Sequence, residues 1–378
     1  MSHVAGRANC GLSLMSTTPT RSHALVIWRL VAAATLLYTF LVSIGLIGKA
    51  FKLFGKGFAE TLLSSTADPV VGLFIGILAT AIVQSSSTTT SIVVGLVGGG
   101  AMDVGSAVPI IMGANIGTTV TNAIVSVGHI GRPLEFRRAF AAATVHDFFN
   151  LIAVAIFFPL EQFFGFLERG AYFLGDLFVG LGGLTVSSPL KLLTRPAIDG
   201  LVALAGGRAW IVLVLALVFL FASLTWMVKI LRSLVLSRIE TFFGRTVFKT
   251  PLRALLLGLL VTAAVQSSSI TTSVIVPLAA AGVLTLEQVF PYTLGSNIGT
   301  TVTAILASMA TGEPAAVVVA LVHLLFNILG TVVVWPIRRL PLYLARWLAT
   351  LAMRSRLLPV VFIGVAFFGI PLLVYWLF

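Results

Sequence analysis

Charge is what this sequence most lacks. Only 10% of its 378 residues are Asp, Glu, Lys or Arg, against 58% hydrophobic, and the mean hydropathy is +1.09. A water-soluble domain carries about 25% charged residues, so too few remain here to cover a water-facing surface. Cysteine is almost absent: Cys10 stands alone, which excludes an intramolecular disulfide. Acidic residues are scarce, 12 against 24 basic, for a net charge of +12. In a soluble protein that balance would suggest nucleic acid. Here the cations sit in short loops beside apolar runs, as the positive-inside rule expects, so no nucleic-acid partner is implied. No Gly-x-Ser-x-Gly elbow occurs, which disfavours an intramembrane serine hydrolase using His146 or His323.

The apolar runs are continuous rather than alternating, which favours helices over barrel strands. They predict an all-α polytopic membrane protein. Full spans are expected at Ala24–Ile47, Ala139–Leu160, Trp210–Val228, Ala315–Trp335 and Leu358–Phe378. Phe51–Glu60 and Pro341–Leu351 read as interfacial segments, and 161–205 as a surface-lying connector. The first residues read as a disordered cytoplasmic tail, 1–23. The run after Arg21 is too long for a signal-peptide core and is taken as a retained helix.

Within this apolar background a polar stretch occurs twice. Gln84-Ser85-Ser86-Ser87 continues through Thr90 and Ser91; Gln266-Ser267-Ser268-Ser269 continues through Thr272 and Ser273. Each is followed by a second box, Asn115-Ile-Gly-Thr118-Thr119 and Asn297-Ile-Gly-Thr300-Thr301. The offset is 182 throughout, and 19 of the 39 positions in 84–122 are identical to 266–304. His146 and Asn150 match His323 and Asn327 at an offset of 177. Each Gln-Ser-Ser-Ser box splits an apolar run into two half-length pieces, as in a re-entrant hairpin. Each Asn-Ile-Gly box interrupts a near-span, Pro109–Val127 or Phe290–Met309. The duplication divides the chain into a first half, 24–205, and a second, 206–378. Counting arginines puts the halves in opposite orientations, an inverted repeat; Lys49, Lys52 and Lys56 fall on the wrong side of that count.

A backbone break inside a bilayer is tolerated only where protein or a water-filled cavity satisfies the freed groups. Paired breaks at matched positions are the sequence mark of a transporter site. Amides and hydroxyls at a half-helix N-terminus suit an anion, and Ser and Thr oxygens with freed carbonyls suit a hard cation such as sodium. No Arg or Lys lies in any box. A divalent anion held only by neutral dipoles needs counter-charge, which co-bound sodium would supply. Isolated Ser and Thr in apolar helices commonly bond their own carbonyls; four boxes in register are a different case. Asp147, ionisable within a span, has Leu324 as its counterpart.

These boxes, with Phe136-Arg-Arg-Ala-Phe and Thr144-Val-His-Asp, resemble the type II sodium–phosphate cotransporter family over about 70–160 and from 250 onward. The resemblance implies sodium-driven uptake of inorganic phosphate by a multi-pass protein of the cell membrane, not an enzyme. Gln84, Ser85, Ser86, Asn115, Gln266, Ser267, Ser268 and Asn297 are the expected phosphate ligands. Ser87, Thr90, Ser91, Thr118, Thr119, Ser269, Thr272, Ser273, Thr300 and Thr301 are the expected sodium ligands. Sodium is a co-transported ligand; no cofactor is expected, the partners are phosphate, sodium and membrane lipids, and a homodimer is left open. The chain lacks the large cysteine-bearing outer loop of animal members and stops one span early, which points to a bacterial inner-membrane member. A carrier of another oxyanion or a dicarboxylate, and a passive channel, remain open alternatives.

Overall fold

The structure, a computed structural model, describes residues 19–377 apart from 56, 58–60, 62–67, 181–188 and 243–246. Most of the expected tail, Cys10 within it, and the positions 56 and 58–60 of the segment Phe51–Glu60 lie outside the described residues. Every regular element among the described residues is a helix. In chain order they are α1 (Pro19–Phe54), α2 (Pro69–Val83), α3 (Ser86–Gly98), α4 (Val104–Gly117) and α5 (Val120–Val127). Then come α6 (Pro133–Phe164), α7 (Phe166–Gly180), α8 (Pro189–Leu204), α9 (Ala209–Phe242) and α10 (Pro251–Val265). The chain continues with α11 (Ser268–Ala280), α12 (Leu286–Thr311), α13 (Pro314–Val334) and α14 (Arg339–Ala352). It closes with α15 (Leu357–Leu377), which contains a π turn at Val365–Gly369. Among the described residues six stretches are long and apolar enough to cross a membrane: Leu25–Phe54, Val104–Val127, Pro133–Phe164, Ala209–Leu234, Pro314–Val334 and Leu357–Leu377. The chain is an all-α polytopic membrane protein.

The short helices α2, α3, α10 and α11 form the two hairpins. α2 begins where Asp68 accepts hydrogen bonds from the Val70 and Val71 amides, at 2.8 and 3.1 Å, with Pro69 at the first position. α10 begins the same way at Thr250-Pro251. A proline there loses nothing, because that amide has no intrahelical partner.

The two sets of elements interlock crosswise. α2 packs along α4, and α10 along α12. α3 reaches across to α12 and α13, while α11 reaches across to α5 and α6. α1 and α9, the matching first spans, pair with each other. The seams inside each set depend on glycine. A Cβ at Gly113 would strike the Leu73 carbonyl of α2, and one at Gly295 the Leu255 carbonyl of α10. Gly76 and Gly258 make the reciprocal contacts, against Ile110 and Tyr292. Small residues thus bring backbones together as they do between membrane helices. The outer faces are apolar, with Trp376 and Leu357 of α15 exposed.

Several expectations need correction. The second Asn-Ile-Gly box does not interrupt its helix: α12 runs unbroken from Leu286 to Thr311, whereas the first copy parts at Thr118–Thr119 into α4 and α5. Residues 115–121 and 297–303 are identical, so the difference comes from what packs on them. Asn122, just past the first break, is engaged from α11; Ala304 cannot be. Lys49 and Lys52 face carboxylates, Asp199 at 3.5 Å and Glu313 at 3.6 Å, and Lys56 lies outside the described residues. The connector forms two helices, α7 against α13 and α8 against α1.

Gly295→Ala should lower stability by about 1–3 kcal/mol, the cost of overpacking, read as a lower melting temperature in detergent. Gly364→Ala, which meets nothing within 4 Å, should be neutral or slightly stabilising. Equal melting of both variants would contradict the tight seam.

Candidate functional site

Each hairpin turns on its glutamine. Gln84 and Gln266 adopt φ of 56° and 60°, and they are the two described non-glycine residues with positive φ. Left-handed backbone is unfavourable for a residue with a Cβ, so both copies hold the same strain at the same place. Each glutamine amide donates to the carbonyl four residues back, Thr80 or Thr262, at 2.7 Å. Ser85 and Ser267 then swing to extended backbone, and their hydroxyls accept from the Thr88 and Ile270 amides at 3.2 and 3.4 Å. These two serines are helix caps.

The turns meet each other. Ser87 Oγ donates to the Gln266 carbonyl at 3.3 Å, and Ser269 Oγ donates to the Gln84 carbonyl at 3.3 Å. This reciprocal pair brings the N-termini of α3 and α11 together in the interior. Ser86, Ser87, Ser268 and Ser269 are 2–5% exposed. Their amides are first-turn donors with no acceptor among the described residues. The Ser86 and Ser268 hydroxyls are likewise uncommitted there. Two positive helix ends and free N–H and O–H donors converge, with no cationic side chain in either box.

The second boxes lie against the first. Thr262, Thr271 and Ser296 form a hydroxyl cluster, with Oγ separations of 2.6–3.0 Å, that joins α10, α11 and α12. In the first half only the Thr80–Thr89 pair forms, at 2.9 Å, because Ala114 replaces Ser296. Asn297 Oδ1 accepts from His146 Nε2 at 2.5 Å, and its amide donates to Asn150 Oδ1 at 2.9 Å. Asn150 in turn donates to the Asn115 carbonyl at 2.8 Å, so one side chain bridges both Asn-Ile-Gly boxes. Asp147 is 1% exposed, and its carboxylate makes no hydrogen bond of normal geometry, though the Thr119 hydroxyl lies close to it.

With that geometry in view, the comparisons with known proteins are decisive. The profile of the Na+/Pi-cotransporter family matches residues 39–188 and 218–335, which include all four boxes. The chain belongs to this family. It is 34% identical to "Sodium-dependent phosphate transport protein 2B" of Pongo abelii over 93% of its own length and 65% of that protein's. It is 33% identical to the Homo sapiens 2B protein over 93% and 65%, and 34% identical to the 2A protein of Ovis aries over 90% and 66%. The chain therefore spans just under two thirds of the length of these relatives. No solved structure shows a significant similarity to it.

Within this Na+/Pi-cotransporter fold the expected site residues divide into three groups. Ser86, Ser87, Ser268 and Ser269 gather at the meeting of the turns, and Asn297 joins the His146–Asn150 network beside it. Thr90, Thr118, Thr119, Thr300 and Thr301 are buried, and their hydroxyls donate to carbonyls three or four residues back in their own helices. Such an oxygen still offers lone pairs to a cation. Thr272 and Ser273 bond both their own helix and Asn122 Oδ1, at 3.0 and 3.1 Å, while Ser91 Oγ is buried without a partner. The two glutamines differ from each other. The Gln84 side chain is exposed, and the Gln266 amide is engaged by Thr303 Oγ1 at 2.7 Å and by the Ala263 carbonyl. Ser85 and Ser267 are occupied as caps, and the Asn115 amide donates to Ile111 in its own helix at 2.9 Å.

Sequence reasoning passed over Asn122 and Thr303. Asn122 lies outside the repeated pattern, since its counterpart is Ala304. Thr303 lies inside it, but nothing local marks it as the partner of Gln266. Removing the Asn122 acceptor by Asn122→Ala should lower stability by about 1–2 kcal/mol, measured by melting in detergent. Unchanged melting would show that the α5–α11 contact carries no weight.

Proposed function

We propose that the chain is a secondary active transporter that couples inward sodium movement to uptake of inorganic phosphate by alternating access. The observation that carries this reading is the reciprocal meeting of two half-helix N-termini without a cationic side chain. Membership of the Na+/Pi-cotransporter family, and relatives named as sodium-dependent phosphate transport proteins, support it. Phosphate would take the Ser86 and Ser268 hydroxyls and the free first-turn amides. The Asn297 and Asn115 amides would line the same space, with Gln84, Ser85, Gln266 and Ser267 shaping the turns. Sodium ions would take oxygens from Ser87, Thr90, Ser91, Thr118 and Thr119, and from Ser269, Thr272, Ser273, Thr300 and Thr301.

The role of sodium follows from charge. A helix N-terminus supplies roughly half a positive charge, so two such ends supply about one. A divalent oxyanion in a low-dielectric interior needs more, and buried charge is costly unless compensated. Co-bound sodium provides the remainder, so each ligand binds well only with the other. In this reading residues 24–205 and 206–378 are inverted halves that rock or slide about the shared centre. The setting is a multi-pass protein of a bacterial inner membrane, and lipids cover the apolar flanks. No step forms or breaks a covalent bond, which makes the chain a carrier and not an enzyme.

Uptake of labelled phosphate into proteoliposomes tests this. Accumulation should require an inward sodium gradient and stop when that gradient is collapsed. Ser86→Ala and Ser268→Ala should each lower the initial rate at least about tenfold, as expected for losing a hydrogen bond to a charged ligand. Phosphate entry that ignores the sodium gradient would mark a passive pathway, and stronger competition by sulfate than by phosphate would shift the substrate class.

A further inference from the structure

The two halves carry the same side chains in opposite hydrogen-bonding states. In one direction a clasp is closed. His146 and Asn150, one turn apart on α6, hold Asn297 from both ends of its amide, and Asn150 ties the group to the Asn115 carbonyl. Thr303 also pins the Gln266 side chain.

Every mirror bond is missing in the other direction. The counterparts of His146 and Asn150 are His323 and Asn327 on α13, and α13 packs against α4, which carries Asn115. Yet both His323 ring nitrogens and Asn327 Oδ1 are buried without a partner. The Asn327 amide donates to the His323 carbonyl at 2.9 Å, and the Asn115 amide donates to Ile111. The mirror of the Thr303–Gln266 bond is absent too: Thr121 Oγ1 is buried without a partner and the Gln84 side chain is exposed. Back-bonding of an asparagine to its own helix is ordinary by itself. Four orphaned atoms at symmetry-matched positions, on His323, Asn327 and Thr121, are not, because a buried polar atom without a partner is costly.

We infer that His146–Asn150 and His323–Asn327 are two alternating pairs of positioning residues. In the state seen here the first pair clasps the Asn297 box and the second is undone. In the opposite-facing state His323 and Asn327 clasp Asn115, Thr121 pins Gln84, and the first clasp opens. The exchange keeps one Asn-Ile-Gly box fixed while the other is released, and its two end states are near-equivalent because the parts are duplicated. This rests on the alternating-access reading, where each half takes in turn the arrangement of the other.

Conformational populations test it without phosphate or sodium. The full chain, with Cys10→Ser, would carry either Ala142→Cys or Ala310→Cys and be placed in lipid nanodiscs. Ala142 lines a cavity with Arg137 and Leu286, at the start of α12; Ala310 lines another with Gly98 and Lys52, at its far end. Maleimide labelling rates at the two positions report the two mouths, and their ratio reports the population.

His146→Leu should move that ratio one way and His323→Leu the other, each on the order of tenfold. His146→Gln, whose amide can still donate to Asn297 Oδ1, should restore the wild-type ratio. A merely structural role predicts no such opposition. Ratios that move in the same direction, or stay at the wild-type value, would overturn the inference. Should His146→Leu not fold, His323→Leu and Asn327→Leu decide: neither residue bonds across the halves here, so an unmoved ratio in both also overturns it. Opposed shifts in a chain whose phosphate uptake ignores sodium would leave this inference and alternating access standing and remove the sodium coupling.

Discussion

Two left-handed glutamines and the serines that follow them hold this molecule to its arrangement. Each turn ends one half-length helix and starts another, which leaves first-turn amides unpaired in the interior. Such groups are tolerated away from water only when something satisfies them. Here each turn satisfies only a carbonyl of its twin, Ser87 donating to Gln266 and Ser269 to Gln84, and the amides keep no acceptor among the described residues. What remains is a surplus of donors: four first-turn amides and the hydroxyls of Ser86 and Ser268. In the proposed reading that surplus suits an anion, and the shortage of full positive charge is what a co-bound cation would make good.

The surrounding fold serves this meeting. Glycine seams bring α2 onto α4 and α10 onto α12 at backbone distance, which presses the Asn-Ile-Gly boxes against the turns. The crosswise packing of α3 on α12 and of α11 on α5 and α6 means that neither turn is held by its own half alone. Movement of one half relative to the other must therefore act on the centre. The polar bonds between halves are uneven, and the pairings that differ between the two copies are the ones we propose to exchange.

Much of this was legible in the residues. The offset of 182 between boxes announced the duplication, and the apolar runs announced the helices, though the expected spans fell short of Pro133–Phe164 and Ala209–Phe242 because polar end turns escape a hydropathy reading. The burial and convergence of Ser86 and Ser268 followed from the repeat. Three things were not legible. The continuity of α12 through Asn297 depends on tertiary neighbours, since the identical residues in the first half part at Thr118–Thr119. The unequal fates of Gln84 and Gln266 are not written locally, since Thr121 and Thr303 both stand 37 positions on and only Thr303 bonds its glutamine. The acceptor role of Asn122 is absent from the pattern because duplication preserved no counterpart.

The claim that an oxyanion at the crossed turns needs alkali-ion counter-charge is tested most directly by equilibrium binding of radiolabelled phosphate to the purified full chain at constant ionic strength, with sodium replaced by choline. The account predicts affinity weaker by about a hundredfold or more in choline, the scale of an uncompensated buried charge interaction. Equal affinity in the two salts would contradict it.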